Sequence, residues 1–225
     1  MQRQSSASSD THSTSMLDIK RDCTFCQIDR IAPLIMKETP NLRLVADHAP
    51  LVEGHILIIP KQHYTCYGDV PSSLDDELFG LKQEVRRFFE LYYTEPVYWE
   101  HGIFHQTVFH AHLHCFPIGP LTYDLEHHGH GQRIHSQEDI RSWHQQNGHY
   151  FYLEDTHHGY LFPPEPETYS SIIRNVLGPA VAAHSSYKQW RLPQERQIDG
   201  KPLIASAMAH WKEFEHTGQA GTRSS

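Results

Sequence analysis

The sequence predicts an α+β fold, with a mostly antiparallel sheet, one long helix and a C-terminal extension. Three observations predict it. Short apolar segments and a single amphipathic helix follow one another in the order β, β, α, β, β. Turn residues separate these segments. Past about residue 120 the composition becomes polar and histidine-rich, then richer in proline.

Each element has a local reason. Residues 41–46 (NLRLVA) alternate polar and apolar, the pattern of a half-buried strand. Residues 47–54 carry Pro50 and Gly54 and read as a turn. Residues 55–59 (HILII) are apolar and β-branched, a buried strand stopped by Pro60. Ser72 or Ser73 is expected to cap a helix that runs to about Tyr93. Leu74, Leu78, Leu81, Val85, Phe88, Phe89 and Tyr92 keep helical spacing along it. Residues 97–100 and 108–116 read as two further strands. In the extension, helices are expected at about 137–146, 167–183 and 204–215, with strands near 150–153 and 160–162. The expected division is a disordered tail at 1–16, an α+β domain at 17–120 and an extension of mixed or helical structure at 121–225. No internal repeat or heptad pattern is present.

Composition narrows the function. The chain has 225 residues, 38% of them hydrophobic, which suits a globular core. No apolar run approaches the roughly 18 residues a membrane span needs. Residues 1–15 are Ser/Thr-rich without an apolar centre, so no secretory signal is expected, and a cytoplasmic location is. The net charge of −8 argues against a generic grip on nucleic acid. Four cysteines, Cys23, Cys26, Cys66 and Cys115, are too few for a disulfide scaffold. Histidine, at 20 residues, is the outlying count.

Residues 110–116 read His-Ala-His-Leu-His-Cys-Phe. On a strand, side chains alternate faces, so His110, His112 and His114 share one face at about 6.6–7 Å spacing. Phe109, Ala111, Leu113 and Cys115 are expected on the other, in an apolar layer. Three imidazoles in a row suit a site better than a core, because each needs a partner. Neutral imidazole is a nucleophile near pH 7 and also a metal ligand. Spacing alone leaves both readings open.

The segment matches the signature of the histidine triad family at every position, and the chain resembles that family in three more places. Gln106-Thr107 precedes the triad. GHILIIPKQH at residues 54–63 is similar to the family's GHxLVIPKxH strand. Asp47 stands seven residues before Gly54. The resemblance implies a histidine triad fold and a nucleotidyl hydrolase or transferase, acting on a phosphoramidate, mixed anhydride or dinucleoside polyphosphate. It implies that His112 attacks the α-phosphate and that His114 contacts the phosphate and supports the intermediate. Gln106 and Thr107 would bind phosphate oxygens, Thr107 also protonating the leaving group. Asp47 would accept from the ribose, and Leu57 would lie against the base. The expected partner is a small-molecule nucleotide, with a homodimer expected from the habits of related small triad proteins.

Two positions depart from the family pattern. Glu100-His101-Gly102 stands where the family often has Asn-x-Gly, and His105 replaces a glycine before Gln106. Glu100 is expected to act as an acid or base or to meet the substrate, and His105 to reshape the phosphate contact.

Cys23 and Cys26 have the spacing of a zinc knuckle. In zinc-bearing relatives two histidines complete the set, which implies His63 and His110 here and a structural zinc. The histidines between residues 127 and 158 lack ligand spacing beyond HHGH at 127–130 and are expected in a solvated loop. Trp190-Arg191 is expected to be a packed tryptophan beside a surface arginine. The extension is expected to cover the active site and select the substrate. Two other functions compete with the enzymatic one: a non-catalytic nucleotide sensor or scaffold, and a metal-dependent hydrolase using the histidine clusters.

Overall fold

The computed structural model describes residues 23–122, 131–186 and 192–221. The expected tail at 1–16, the HHGH segment and Trp190-Arg191 lie outside the described residues. Eight strands form one sheet: β1 (Ile35–Glu38), β2 (Leu42–Ala46), β3 (Ile56–Pro60), β4 (Pro96–Glu100), β5 (Leu113–Pro117), β6 (Gln132–Ile134), β7 (Phe151–Glu154) and β8 (Gly159–Phe162). Their spatial order is β1-β2-β3-β5-β4-β7-β8-β6, every pairing antiparallel. The helices are α1 (Ile28–Ile31), α2 (Asp75–Tyr92), α3 (Gln137–Asn147), α4 (Pro166–Ile172), α5 (Gly178–His184), α6 (Pro193–Asp199) and α7 (Lys201–Gly221). A π segment, Ile173–Leu177, joins α4 to α5.

The sheet does not stop at residue 120. β7 pairs with β4, placing Trp99 opposite Leu153, so the extension adds three strands to the same sheet. The histidine-rich stretch after residue 131 is accordingly β6, α3, β7 and the turn after it, and not a loop.

Period-two alternation sorts the side chains onto two faces. On one face Leu44, Ile56, Ile58, Tyr98, Leu113 and Cys115 pack against Leu78, Leu81, Val85 and Phe88 of α2 and Trp211 of α7. Phe88 is fully buried there, and its truncation to alanine should cost about 3–5 kcal/mol. The opposite face carries two smaller clusters. One joins Cys23 and Phe25 to Val45, Leu57 and Ile59. The other joins Val97, Trp99 and Phe116 to Phe151, Phe162 and the α4–α5 segment. A cleft lies between them.

Two local expectations are corrected. α2 begins at Asp75 after a 3₁₀ turn at Ser72–Leu74, and no serine side chain caps it. Asp75, Asp76 and Glu77 fill its first turn instead, where the helix dipole favours negative charge. Arg141 of α3 grips the Asp75 carboxylate at 2.9 and 2.6 Å, tying α3 to this helix end. The strand expected from 108 begins only at Leu113. Residues 108–112 are irregular, and Phe109 is 57% exposed, not in the apolar layer.

Candidate functional site

His114 sits at the centre of the cleft floor. On β5 it pairs with Leu57 of β3 on one side and Trp99 of β4 on the other. Directly opposed residues project from the same face, so the three side chains stand in a row. His112 comes from the irregular segment just before β5, and its ring lies 4.9 Å from that of His114. The cleft holds about 240 Å³ and is lined by both rings together with Asp47, Leu57, His105 and Thr107.

The hydrogen bonds assign the tautomers. His112 Nδ1 is 2.6 Å from the His110 carbonyl oxygen, so Nδ1–H donates and Nε2 keeps its lone pair. Burial lowers the pKa of His112, partly offset by that carbonyl and by Asp47, so the ring is neutral near pH 7. The Leu51 N–H donates to His55 Nδ1 at 3.3 Å. His55 Nε2–H therefore donates to His114 Nδ1 at 3.0 Å, which leaves the proton of His114 on Nε2. Burial holds His55 down at about 4 and His114 well below its usual value. The cleft floor thus presents a nucleophilic nitrogen on His112 and a donor N–H on His114.

Asp47 is fixed by a local turn. The Ala49 N–H donates to its Oδ1 at 2.7 Å, while Oδ2 lies 3.6 Å from His55 Nε2. Asp47 is buried yet reaches the cleft, which suits an acceptor for hydroxyl groups. The loop before the triad is strained, with Ile103 at φ 79° and His105 at φ 56°. For the β-branched Ile103 this backbone is a true outlier, and such strain gathers at ligand sites. It sets His105 on the cleft rim, its ring tilted against Tyr169 at 4.9 Å.

These observations can be set beside known proteins. Residues 31–120 match the model of the HIT domain, the histidine triad domain. The match covers less than half of the chain. Over 104 residues it is 32% identical to adenosine 5′-monophosphoramidase HNT1 of Saccharomyces cerevisiae, covering 42% of this chain and 61% of the relative. The chain thus spans less than two thirds of that relative. Among solved structures it resembles a hypothetical protein from Leishmania major at 23% identity and TM-score 0.41, covering 56% of this chain and 94% of that one. It also resembles a Zn-bound histidine triad family protein from Mycobacterium smegmatis at 26% identity and TM-score 0.38, covering 56% and 96%.

The matched segment gathers most of the residues singled out in the sequence, with two corrections. Glu100 is not in the cleft. It faces the opposite side of the sheet from Trp99, fully buried, where Tyr67 N–H and Tyr150 O–H donate to its two oxygens at 2.7 and 2.6 Å. Burial pushes its carboxyl up to about 7 despite those bonds. A one-residue step along β4 exchanges faces, so His101 lines the cleft instead. Gln106 is also not part of the lining. Its Nε2 donates to the carbonyls of Thr65 and His110, each at 3.2 Å, so its amide braces the triad from behind.

Cys23, Cys26, His63 and His110 converge, with one ligand atom from each within 4.8 Å of the others. His110 therefore parts from the other two imidazoles and turns away from the cleft. Its Nε2–H donates to the Pro60 carbonyl at 2.8 Å, which leaves Nδ1 to face Cys23 Sγ at 3.4 Å and Cys26 Sγ at 3.5 Å. That tautomer is the one a metal ligand needs, set by a carbonyl behind the ring. Two thiols and two imidazoles suit a tetrahedral metal ion, and the residues fit one. Cys66 and Cys115 are buried single thiols, raised by desolvation.

The sequence reading missed Phe25, His55, Trp99, His101, Tyr169 and Arg196, all of which line the cleft. His55 stood inside a recognised motif without a role. Trp99 was findable, since the alternation on β4 puts it on the face of the triad. Tyr169 and Arg196 carry no local signal, because long-range packing brings them there.

Proposed function

We propose that the chain is a nucleotidyl hydrolase or transferase that works through a covalent nucleotidyl-histidine intermediate on His112. One observation carries the reading: the bond from Nδ1–H to the His110 carbonyl leaves Nε2 of a neutral ring as a lone pair beside an open cleft. The likeness to the yeast relative, an adenosine 5′-monophosphoramidase, supports it.

In the first step Nε2 of His112 bonds to the α-phosphorus, and the bond to the leaving nitrogen or oxygen breaks. The departing atom keeps the electron pair and takes a proton, with the Thr107 hydroxyl on the cleft lining as the near source. The His110 carbonyl stabilises the charge that builds on the substituted imidazole. His114 Nε2–H donates to a phosphate oxygen. In the second step water or another acceptor attacks phosphorus, and the nitrogen lone pair returns to His112. Asp47 accepts from the ribose hydroxyls, Leu57 and Phe25 lie against the base, and Gln106 is a positioning residue. Cys23, Cys26, His63 and His110 would hold a zinc ion, whose chemistry there is to cross-link the N-terminal segment to the triad segment.

Incubation with α-³²P-labelled nucleoside phosphoramidate and an acid quench should leave label on the protein. His112→Asn should abolish both label and turnover while nucleotide still binds. Unchanged turnover in that variant rejects the reading.

A further inference from the structure

The face of the sheet away from the cleft holds a carboxylate that the nucleotidyl chemistry leaves unused. Glu100 is fully buried, and both its oxygens accept hydrogen bonds, from Tyr67 N–H at 2.7 Å and Tyr150 O–H at 2.6 Å. The Tyr150 oxygen in turn accepts from Gly68 N–H at 3.0 Å. Two successive amides of the 3₁₀ turn Tyr67–Asp69 are thus held, one by Glu100 directly and one through Tyr150. An apolar residue of similar volume would avoid the cost of burying this charge. Hydrogen bonds to an ionised acceptor are, in exchange, about twice as strong as neutral ones.

The held turn ends a segment that reaches the triad. Residues 61–66 form neither helix nor strand, so their hydrogen bonds set their course. The Tyr64 carbonyl accepts from Ala111 N–H at 2.7 Å. The Thr65 carbonyl accepts from Gln106 Nε2 at 3.2 Å, and the same amide donates to the His110 carbonyl at 3.2 Å. That carbonyl is the oxygen that takes Nδ1–H of His112 at 2.6 Å. From Glu100 to the nucleophile, each link is a hydrogen bond or a short step of backbone.

The surroundings of Glu100 leave its charge balanced by those donors. Cys66 and Asp69 flank it from the turn, and Tyr150 and Tyr152 from the start of β7. Lys82 of α2 lines a small cavity beside it with Tyr67 and Gln137. Lys82 is engaged by Glu154 at 2.7 and 2.5 Å, and burial keeps Tyr67, Tyr150 and the Cys66 thiol neutral. Burial raises the Glu100 carboxyl to about 7 against its two bonds, and the charge of Asp69 adds to the rise. Both oxygens already accept, so a proton on either displaces one of the two donors.

We propose that Glu100, as a carboxylate, is a positioning residue for His112, holding residues 64–67 against the triad segment, and that Tyr150 brings the extension into that support. The proposal rests on the His112 reading. Glu100 touches no substrate. Its ionised form keeps the Tyr67 amide in place, Thr65 keeps the Gln106 amide, and Gln106 keeps the His110 carbonyl aligned with His112. Tyr150 lies outside the segment that matches the HIT domain, so a residue of the extension acts on the nucleophile from behind the sheet.

The test follows kcat and KM for a nucleoside phosphoramidate across the neutral pH range in wild type, Glu100→Gln and Tyr150→Phe, with thermal melts to verify folding. Wild-type kcat should fall on an acid limb near pH 7. Glu100→Gln should lack that limb and, above it, lose kcat about tenfold with KM within about twofold, while melting no lower than wild type. Tyr150→Phe should lose about threefold. In Gln106→Leu, which cuts the path, adding Glu100→Gln should lower kcat by less than about twofold more. A limb absent from wild type or unchanged in Glu100→Gln, a loss that tracks a lowered melt, or losses that multiply in the double variant overturns the proposal. Hydrogen exchange reads the path without turnover. Above the limb, the Tyr67 and Ala111 amides should exchange at least about fivefold faster in Glu100→Gln than in wild type. Equal exchange overturns the proposal. Faster exchange in a chain whose wild type forms no labelled intermediate supports the path and removes the His112 reading alone.

Discussion

The two walls of the cleft are built by different means. The first wall, around Phe25, Val45, Leu57 and Ile59, is small and tied down at many points. Backbone strands β2 and β3 supply it in full register. The Cys23, Cys26, His63 and His110 cluster pins its outer segment to the triad, and a local turn fixes Asp47. The second wall, around Trp99, His101, Phe104 and Tyr169, is held by ring contacts, a π segment and a loop with positive φ angles. The first wall is held by strand pairing and by the converging Cys/His cluster. The second is packed largely from side chains that can change without breaking a ladder.

Four changes would break or sharpen this contrast. The largest effect belongs to His112, at the seam. His112→Asn should lower kcat by about 10³-fold or more, roughly 4 kcal/mol of barrier, with nucleotide affinity retained by equilibrium binding. Next comes the Cys/His cluster of the first wall. Cys26→Ser, or exhaustive chelation, should lower the melting temperature by about 5–10 °C and raise KM, as read by calorimetry and steady-state kinetics. An unaltered melt after chelation, with metal analysis showing none bound beforehand, would leave that wall held by packing alone.

The third test concerns the reverse side of the strand that carries the second wall. The Glu100 carboxyl is raised from about 4.5 to about 7 by burial. A raised folded-state value means that its contribution to stability is full below about pH 4.5 and is lost as pH climbs to about 7. Glu100→Gln mimics the protonated form. Relative to wild type it should gain about 1–3 kcal/mol between pH 4.5 and pH 8 in urea unfolding. A pH-independent difference would show that Glu100 is already neutral, or fully solvated, in the folded chain. The smallest effect is expected from Asp47→Asn, which should raise KM about tenfold, near 1.4 kcal/mol, with kcat little changed. An equal loss in kcat would move Asp47 from the first wall into the chemical step.

Much of the fold was legible because long periodic segments write their own structure. The helix read from residue 72 to about 93 is α2 with its first turn tightened. The three helices read in the extension correspond to α3, to the run from α4 through α5, and to α7. What escaped notice was short. β1 and β6 are the two edge strands of the sheet, of four and three residues. An edge strand needs little apolar patterning, since its partner's ladder defines it. The site shows the same division. His112, His114, Thr107, Asp47 and Leu57 sit in recognisable motifs and meet at the cleft. Glu100 and Gln106 were misplaced because a motif gives proximity along the chain, and one step along a strand reverses the face.

The amino-acid order alone predicted the α+β class from its periodicity and, through the resemblance to the histidine triad family, named the candidate nucleophile and the four residues of the Cys/His cluster. Only tertiary structure could decide which tautomer each imidazole adopts, that the sheet continues through the extension, and that Tyr169 closes the cleft beside Trp99. Those outcomes depend on carbonyls, strands and rings far apart in sequence, brought together by burial of apolar surface that no local pattern records.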